Sequence, residues 1–487
     1  MAVEKLNQGK TVSLNQYFAP TASKKALNIF GWMEWILSQK LPFSFCEKPL
    51  TKKYTKLDPI TTKTLKEYIF DTVLEVRQSI KALLPEQFVI MYDGWTADGT
   101  STHYVATYAM WTNSYGSVKR FLLSCAPLLN QADYSADSHV DYLAATLGLY
   151  GKTFSNVEAF SGDNCSTNKR VASLLNIPLI GCASHRLNLA AQLIFEQFSL
   201  EIDKVNKLMV DLRSLKNRAK LRMETHLQPE IRNQTRWSST FSMLLKYQMI
   251  EKELDKCDFD ASVLAKFPSA LEKQTIFRLI KALKELESVS KTLQENDSRN
   301  DLYAVRTLFD ELIVFFQVEL DIDLTHKLGP DALIIQSKDF ENAVVKVQSG
   351  REDFLTFAEA TTISKFLKTP REEPDLQDNS DRPQVSLAER VRLGLQQEKR
   401  ARMEPSDRYD YADNYPWLNI HVSYRSMKHL SPTSNLVERL FSAAGINMTD
   451  FRKNMAPRSL EAALLLTENK ELWTPATIDV IIKKRGD

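Results

Sequence analysis

The chain has 487 residues, 43% of them hydrophobic, a size and composition that predict about three domains with sizeable cores. Its 63 Lys and Arg residues nearly balance its 61 Asp and Glu residues, so any nucleic-acid contact has to be a local patch rather than a grossly basic surface. Five scattered cysteines predict reduced thiols inside the cell, and the lack of a long apolar run or a charged-then-apolar leader predicts neither a membrane span nor secretion.

The chain begins with a polar, turn-rich stretch, residues 1–24, which predicts a flexible N-terminus. Apolar residues at helix spacing over 25–39 and 61–84 then predict two helices. The second helix should end at the step into Pro85, because the residue before a proline avoids helical backbone angles. Together these segments form a predicted helical N-terminal region, residues 25–85.

The hydrophobic period changes at residue 88. Apolar and β-branched runs at 88–92, 104–111 and 118–129, separated by turn signals, predict an antiparallel meander of three strands. The segments after it are predicted as a helix at 137–149, a strand at 156–160, a helix at 165–175 and a strand at 178–182. This order predicts an α/β (α+β) fold, in which helices cover a mixed sheet.

Beyond residue 195 the pattern is helical. Segments such as 205–221, 276–293 and 302–320 repeat apolar residues at helix spacing without an internal sequence repeat, which predicts an all-α block up to about residue 415. Prolines and acidic residues at 369–385 predict a disordered loop within it. A basic run in the first of these helices either follows a DNA backbone or forms a solvated face.

Two apolar helices are predicted near the C-terminus. The first would start around Pro432, which suits a first helical turn, and end at Gly445. The second would open at Pro457 and carry Leu460, Leu464, Leu465 and Leu466. This is more apolar surface than one short segment can bury alone, so the helices need a partner. Glu438, an acid among apolar neighbours, is on its own typical of a solvated or salt-bridged residue.

Two acidic residues follow predicted strands. Asp93 comes at the end of the first strand and Asp163 just past the strand at 156–160. If these strands are neighbours, the carboxylates converge and repel unless a divalent cation lies between them. With Glu438 as a third carboxylate, the set could hold two Mg²⁺ ions about 3.5–4 Å apart, the spacing used in phosphodiester displacement. Simpler interpretations stay open: Asp93 as a turn residue before Gly94, and Asp163 as a helix cap.

Five motifs resemble those of one family. They are Asp93-Gly94-Trp95-Thr96, SGDNCSTN at 161–168, CASHRLNL at 182–189, Arg236-Trp237-Ser238-Ser239-Thr240, and ERLFS at 438–442. In this order they resemble the motif set of the hAT superfamily of cut-and-paste DNA transposases. With the C-terminal segment through Trp473, the resemblance covers about residues 40 to 475.

The resemblance implies an RNase H-like core interrupted by a large helical insertion. It places the catalytic triad, and the ligands of Mg²⁺ or Mn²⁺, on Asp93, Asp163 and Glu438. By the same analogy the core comprises 86–195 and returns at 416–475 with a dimerisation region, the insertion spans 196–415, and a tail occupies 476–487. The implied partners are DNA and further copies of this chain, and the implied location is the nucleus.

Further roles follow from the motif residues. By resemblance, Cys182 and His185 lie beside the active site, with His185 contacting the DNA strand end. Trp237 stacks on a flipped base, a step that needs an aromatic face, and Arg236 pairs with phosphate. Trp95 and Arg439 support the site within their motifs. The simpler interpretations are a core thiol with a structural histidine, and a core tryptophan at a helix start. Cys182 and His185 alone are incomplete as a zinc site.

One departure from the family pattern leads to two alternative hypotheses about function. Many family members begin with a zinc-binding DNA-reading domain, whereas the first 50 residues here contain one cysteine, Cys46, and no histidine. The first hypothesis is a metal-dependent transposase that cleaves and transfers DNA strands. The second is a domesticated, catalytically inactive protein that associates with DNA or chromatin and dimerises.

Overall fold

The computed structural model describes residues 22–97, 102–233, 237–295, 301–368, 423–447 and 455–486. The helices before the sheet are α1 (Lys24–Ser38), α2 (Pro49–Tyr54) and α3 (Thr62–Leu83). The sheet region contains β1 (Phe88–Thr96), β2 (His103–Thr112), β3 (Val118–Pro127), α4 (Ala136–Leu149), β4 (Val157–Gly162), α5 (Ser166–Leu175) and β5 (Leu179–Gly181). The predicted loop at 369–385, most of the predicted flexible N-terminus and Arg236 lie outside the described residues.

A long run of helices follows the sheet. They are α6 (Ala183–Gln197), α7 (Ser199–Leu212), α8 (Leu215–Glu224), α9 (Trp237–Leu254), α10 (Ala261–Leu264), α11 (Ala270–Gln294), α12 (Leu302–Leu320), α13 (Thr325–Leu328), α14 (Lys338–Gln348) and α15 (Phe357–Thr362). The C-terminal helices are α16 (Asn435–Asn447), α17 (Pro457–Glu468) and α18 (Pro475–Arg485). Single 3₁₀ turns occur at Phe43–Glu47, Phe154–Asn156, Glu352–Phe354, Ser364–Phe366 and Lys470–Leu472.

The chain divides into two compact units. One comprises residues 1–362 and 427–487 and contains every numbered element. The other comprises residues 363–426, where the described part includes an antiparallel bridge between Leu367 and Tyr424. The domain boundaries expected from the sequence stay predictions.

The five strands form one mixed sheet in the order β3-β2-β1-β4-β5. The pairs β1–β2 and β2–β3 are antiparallel, and β1–β4 and β4–β5 are parallel. The central strands are largely buried on both faces, as expected for strands that helices cover on each side. An antiparallel meander followed by parallel strands is the RNase H-like arrangement, so the predicted fold class is confirmed.

The first strand is longer than predicted. It was expected to end before Asp93, but Gly94, Trp95 and Thr96 continue the ladder opposite Val105, Tyr104 and His103. Pairing with β2 overrides the local turn signal of Asp93-Gly94, because each added residue gains ladder hydrogen bonds. Asp93 therefore lies within a strand, and the interpretation of this residue as a turn acid is wrong.

The two faces of the sheet pack against different sets of helices, and α17 contributes to both. Phe88, Ile90 and Tyr92 of β1 point into a core formed with α1, α3, α4, α17 and α18. Met91, between them in sequence, points to the opposite face and packs with α16. This alternation follows from the two-residue period of a strand. A separate core joins the helices of the all-α block, and the helix predicted at 205–221 breaks there at Ser214, whose hydroxyl caps α8.

The C-terminal helices differ from the prediction at two points. The first helix begins at Asn435 rather than in the turn of Pro432, and it runs past Gly445 to Asn447. The second begins at Pro457 as predicted. The four leucines of α17 are all buried within this chain, where α17 packs on β3 and α3.

The partner that the apolar surface of α17 requires is thus supplied by the chain itself. Self-association through this region stays a prediction. Within the described parts of the chain, no helix is long and apolar enough to cross a membrane.

Candidate active site

The strand register brings Asp93 and Asp163 together. Met91 on β1 lies beside Ser161 on β4, and each acid comes two residues later in its strand direction. Gly162 permits the close approach, because a Cβ atom at this position would lie 2.8 Å from the carbonyl oxygen of Tyr92. Asp93 and Asp163 accordingly line one cavity of about 340 Å³ at the end of the sheet.

The two carboxylates interact electrostatically. The pKa of Asp93 is raised to about 7, first by burial and then by the negative charge of Asp163. Glu438 contributes a smaller effect in the same direction. The backbone N–H of Gly94, which donates to Asp93 Oδ1 at 2.8 Å, opposes the rise. Crowding of like charges that raises an acid's pKa is typical of sites that bind a cation.

His185 lies beside these acids. It sits in the first turn of α6, directly after β5, and its Nδ1 atom is 3.4 Å from Oδ2 of Asp163. The hydrogen bond with Asp163 raises the pKa of His185, and the charges of Asp93 and Glu438 act in the same sense. The predicted neighbourhood of His185 and the two strand acids is therefore present in the structure.

A returning segment of the chain crosses the ends of β4 and β5. Ser161 Oγ donates to the carbonyl of Ser431 at 3.0 Å, and Ala183 N–H donates to the carbonyl of Pro432 at 2.8 Å. The Ser434 hydroxyl then lies 3.5 Å from Asp163 Oδ1. These contacts join residues about 250 positions or more apart in sequence. They hold the start of α16, which carries Glu438, at the acid pair.

The helix that carries Glu438 is fixed against β1 by aromatic packing. Phe441 stacks on Trp95, with ring centroids 5.7 Å apart, and Trp95 also contacts Tyr104 at 5.8 Å. At the opposite side of α16, Asn435 Nδ2 and Arg439 Nη1 donate to the carbonyls at the end of α11. Trp95 and Arg439 thus both position the helix, while the Glu438 side chain is exposed.

The donor chemistry of the acid pair suits Mg²⁺ or Mn²⁺, since both ions prefer carboxylate oxygens. The convergence of the two carboxylates on one cavity is the observation that fits a bound cation. Among the described residues, however, no three His, Cys, Asp or Glu side chains are arranged to hold a metal ion. Glu438 interacts with Asp93 electrostatically. The predicted metal site of three carboxylates stays a prediction.

Cys182 has a structural environment. Its side chain is buried, and its sulfur accepts a hydrogen bond from the backbone N–H of Ser434 at 3.4 Å. Burial raises the pKa of this thiol to about 12, so the sulfur is protonated near neutral pH. A neutral thiol is a poor metal ligand. The contact with Ser434 agrees with its predicted location beside the acidic residues.

Trp237 is the first residue of α9 and is half-buried. Its ring stacks on Phe241 at 6.0 Å, and its backbone N–H lies 3.4 Å from Oδ1 of Asn188, one turn after His185 on α6. The tryptophan is thereby tied to the helix that carries His185. Its role as a base-stacking residue stays a prediction.

Some residues that organise the site were not found from the sequence. Asn168 is buried and donates to the carbonyl of Asp163 at 3.0 Å, which holds the loop after β4. Arg186, also buried, donates to the carbonyls of Lys327, Leu328 and Gly329 and lies 3.8 Å from Glu341. Asn168 lies in the motif at 161–168 and Arg186 in the motif at 182–189. Their position in these motifs is the sequence signal that indicates a role near the site.

Part of the basic run in α7 and α8 is paired within the chain. Lys204 binds Glu272, and Lys216 binds Asp260, each at 2.7 Å. Arg218 Nε donates to Gln228 at 2.7 Å. The alternatives for this run, a DNA-backbone contact or a solvated face, stay predictions.

No protein-family model matches the chain, and no curated protein matches it. Among solved structures, the chain is similar to the Drosophila P element transposase strand transfer complex, with 10% sequence identity and a TM-score of 0.36. The match covers 97% of this chain and 98% of that chain. Identity and TM-score at these values assign no activity to the chain.

Proposed function

We propose that this protein is a metal-dependent enzyme of the transposase type, which cleaves and transfers DNA strands at the Asp93–Asp163 pair. The proposal extends to the hAT type, on the strength of the five motifs, and to action in the nucleus and self-association through the C-terminal region. The runner-up is a domesticated protein that has kept the fold and DNA association but lost catalysis.

One observation carries the proposal. Two acids from separate strands line one cavity, and a segment from the far end of the chain is hydrogen-bonded at the same place, with Ser434 Oγ 3.5 Å from Asp163 Oδ1. Two carboxylates held close together destabilise the folded state, because like charges repel. Stability therefore does not explain why segments so distant in sequence meet around them. A binding role for the acids explains the arrangement.

The residues have distinct parts in this proposal. Asp93 and Asp163 would hold Mg²⁺ or Mn²⁺, with Glu438 as the third carboxylate. Ions held there would supply the Lewis acidity needed to activate a water or 3′-hydroxyl and to stabilise the leaving oxygen of a phosphodiester. His185, held against Asp163, orients that carboxylate and offers a positive partner to a strand end. Trp95, Phe441 and Arg439 keep the helix of Glu438 in place.

The test is cleavage of hairpin and nicked DNA by the purified chain with Mg²⁺ or Mn²⁺. Wild-type protein should cleave only with metal, and Asp93→Asn, Asp163→Asn and Glu438→Gln should reduce cleavage to background while leaving DNA binding measurable. Asp353→Asn is the matched control, since Asp353 is an exposed acid outside the site, and it should cleave like wild type.

The outcomes separate the two functions. Wild-type cleavage that persists unchanged in Asp93→Asn overturns the proposed site. Wild-type protein that binds DNA but cleaves with neither metal supports the domesticated protein instead.

A further inference from the structure

The cavity at the acid pair has a second wall that the proposed reaction does not use. Besides Asp93 and Asp163 it is lined by Cys165, Thr167 and Asn168, and by Gly94, Thr96, His103, Tyr134 and His139. The three rings of this set, His103, Tyr134 and His139, come from the start of β2, the connection between β3 and α4, and α4 itself. We refer to them as the ring wall.

The ring wall is ordered by direct contacts. His103 lies between the other two rings, 5.3 Å from Tyr134 at an interplanar angle of 82° and 6.1 Å from His139 at 64°. Its Nδ1 is 3.1 Å from the hydroxyl of Thr96. His139 is held by its own Nδ1, which lies 2.9 Å from the carbonyl of Ser135. Edge-to-face packing of this kind is favourable between rings.

Gly94 makes room for the central ring. A Cβ atom on Gly94 would stand 2.6 Å from Nε2 of His103, a distance that no other residue type could tolerate without moving the imidazole. The absence of a side chain at this position lets His103 lie directly on β1, immediately after Asp93. The ring wall and the acid pair line the same cavity.

Exposure increases along the wall. His139 is 7% exposed and Tyr134 is 50% exposed, with His103 between them in accessibility. The two imidazoles thus support a tyrosine ring that is open to the cavity. A rigid aromatic ring loses little conformational entropy when a ligand stacks on it, which makes such a ring an efficient binding surface.

The distance from the acid pair suits a short length of nucleic acid. The His103 ring lies over Gly94, the residue after Asp93, and the Tyr134 ring packs 5.3 Å from it. Nucleotides in a stacked strand rise by about 3.4 Å each. A base on the ring wall would belong to a nucleotide within about three positions of a phosphate at Asp93 and Asp163.

The chemistry of the wall favours a base over a phosphate. The Tyr134 ring carries no positive charge to attract a phosphate, whereas an uncharged ring can stack on the π-face of any base. We propose that the ring wall of His103, Tyr134 and His139 binds an unpaired nucleobase of the strand whose phosphate lies at the acid pair. The inference rests on the proposed function, since it takes DNA as the substrate of this cavity.

Binding without cleavage tests the wall. The full chain in Ca²⁺ is titrated with a DNA hairpin that carries three unpaired 3′ nucleotides, one replaced by 2-aminopurine, and anisotropy and 2-aminopurine quenching are recorded. Tyr134→Ala should weaken binding about tenfold or more and lose the quenching, because stacking contributes strongly for each base. Tyr134→Phe should retain both, since it keeps the ring.

Two controls sharpen the comparison. Tyr115→Ala removes a tyrosine that is 90% exposed in the turn between β2 and β3, away from the cavity, and should bind like wild type. An abasic 3′ overhang should bind wild type and Tyr134→Ala equally, because no base remains to stack. Equal affinity of wild type and Tyr134→Ala for the intact overhang overturns the ring wall.

The failure of the wall and of the proposed function are distinguishable. If Asp93→Asn abolishes cleavage but Tyr134→Ala binds normally, only the wall is overturned. If Asp93→Asn cleaves like wild type, the proposed function is overturned, and the quenching still reports directly on whether a base stacks on Tyr134.

Discussion

His185 Nδ1 lies 3.4 Å from Asp163 Oδ2, and this contact joins the first turn of α6 to the end of β4. It resembles the arrangement in which a histidine orients a carboxylate ligand from behind. Because both side chains are about 30% exposed, the pair is open to a substrate as well as being positioned by the fold.

Replacing His185 should affect the reaction more than the fold. His185→Ala is expected to lower metal affinity or the cleavage rate about 10- to 100-fold, the usual effect of removing a residue that orients a metal ligand. The melting temperature should change little. The matched control is His326→Ala, which removes an exposed histidine 3.9 Å from Asp323. Equal cleavage by His185→Ala and wild type would contradict the role.

Asp93 should make the metal-free protein less stable at alkaline pH. Its pKa is raised to about 7 in the folded protein, above the value of an unfolded aspartate, so the folded state binds the proton more tightly. Asp93 therefore leaves the free energy of unfolding unchanged below about pH 4, lowers it progressively between about pH 4 and pH 7, and lowers it by a constant amount above pH 7.

Asp93→Asn should therefore raise the melting temperature at pH 8 without metal, by a few degrees. The gain should shrink as the pH falls through 7 towards 4. Mg²⁺ should stabilise wild type more than the variant, since a ligand that binds only the folded state raises its stability. Thermal melts at several pH values with and without Mg²⁺ measure both effects, and a gain that is independent of pH would contradict the assignment.

The buried ion pair of Arg186 and Glu341 should be important for stability. Both side chains are less than 10% exposed, and the Glu341 carboxylate also accepts a hydrogen bond from Gly181 N–H at 2.9 Å. Burial lowers the pKa of Arg186 to about 10 and raises that of Glu341. Arg186→Met should cost about 3–5 kcal/mol in the free energy of unfolding, because it leaves a buried carboxylate without its cation.

Denaturant unfolding of a double-mutant cycle measures this coupling. The double variant Arg186→Met with Glu341→Gln should lose less stability than the sum of the single variants. Lys216→Met, which removes one member of the exposed pair with Asp260, should leave the unfolding midpoint unchanged. Additive losses in the cycle would show that the two charges do not depend on each other.

Leu464 should stabilise the single chain rather than an interface between copies. It is 2% exposed and belongs to the core shared by β1, β2 and α16. Leu464→Ala should cost about 2–5 kcal/mol, as is usual when a large core side chain is truncated. The loss should be the same at every protein concentration. Leu215→Ala, at a position 89% exposed, is the control.

Size-exclusion chromatography with light scattering on the same variants tests self-association separately. A loss of stability in Leu464→Ala that varies with protein concentration would place this residue in an interface between chains.

The order of the strands and helices was predictable from the sequence. The predicted strands at 104–111 and 156–160 each lie within two residues of β2 and β4 at both ends. Local patterns suffice here because a strand or helix records its buried face in its own hydrophobic period. At Asp93-Gly94, where the local turn signal failed, pairing with β2 decided the backbone instead.

The sequence predicts that Asp93 and Asp163 converge only if their two strands are neighbours in the sheet. The sequence places Asp93 and Asp163 after strands, but only the register of Met91 with Ser161 shows that both acids reach the same level. Register depends on side chains across two strands, so no single segment specifies it.

By itself, then, the sequence determined which segments form the sheet, which residues carry acids at its edge, and the five motifs that suggest a DNA-processing enzyme. The tertiary structure alone decided that Ser434 meets Asp163, that α17 buries its leucines within the chain, and that His103 lies over Gly94 beside the acid pair. The physical reason is that these contacts join distant segments, and their closure depends on the packing of the whole unit rather than on any local preference.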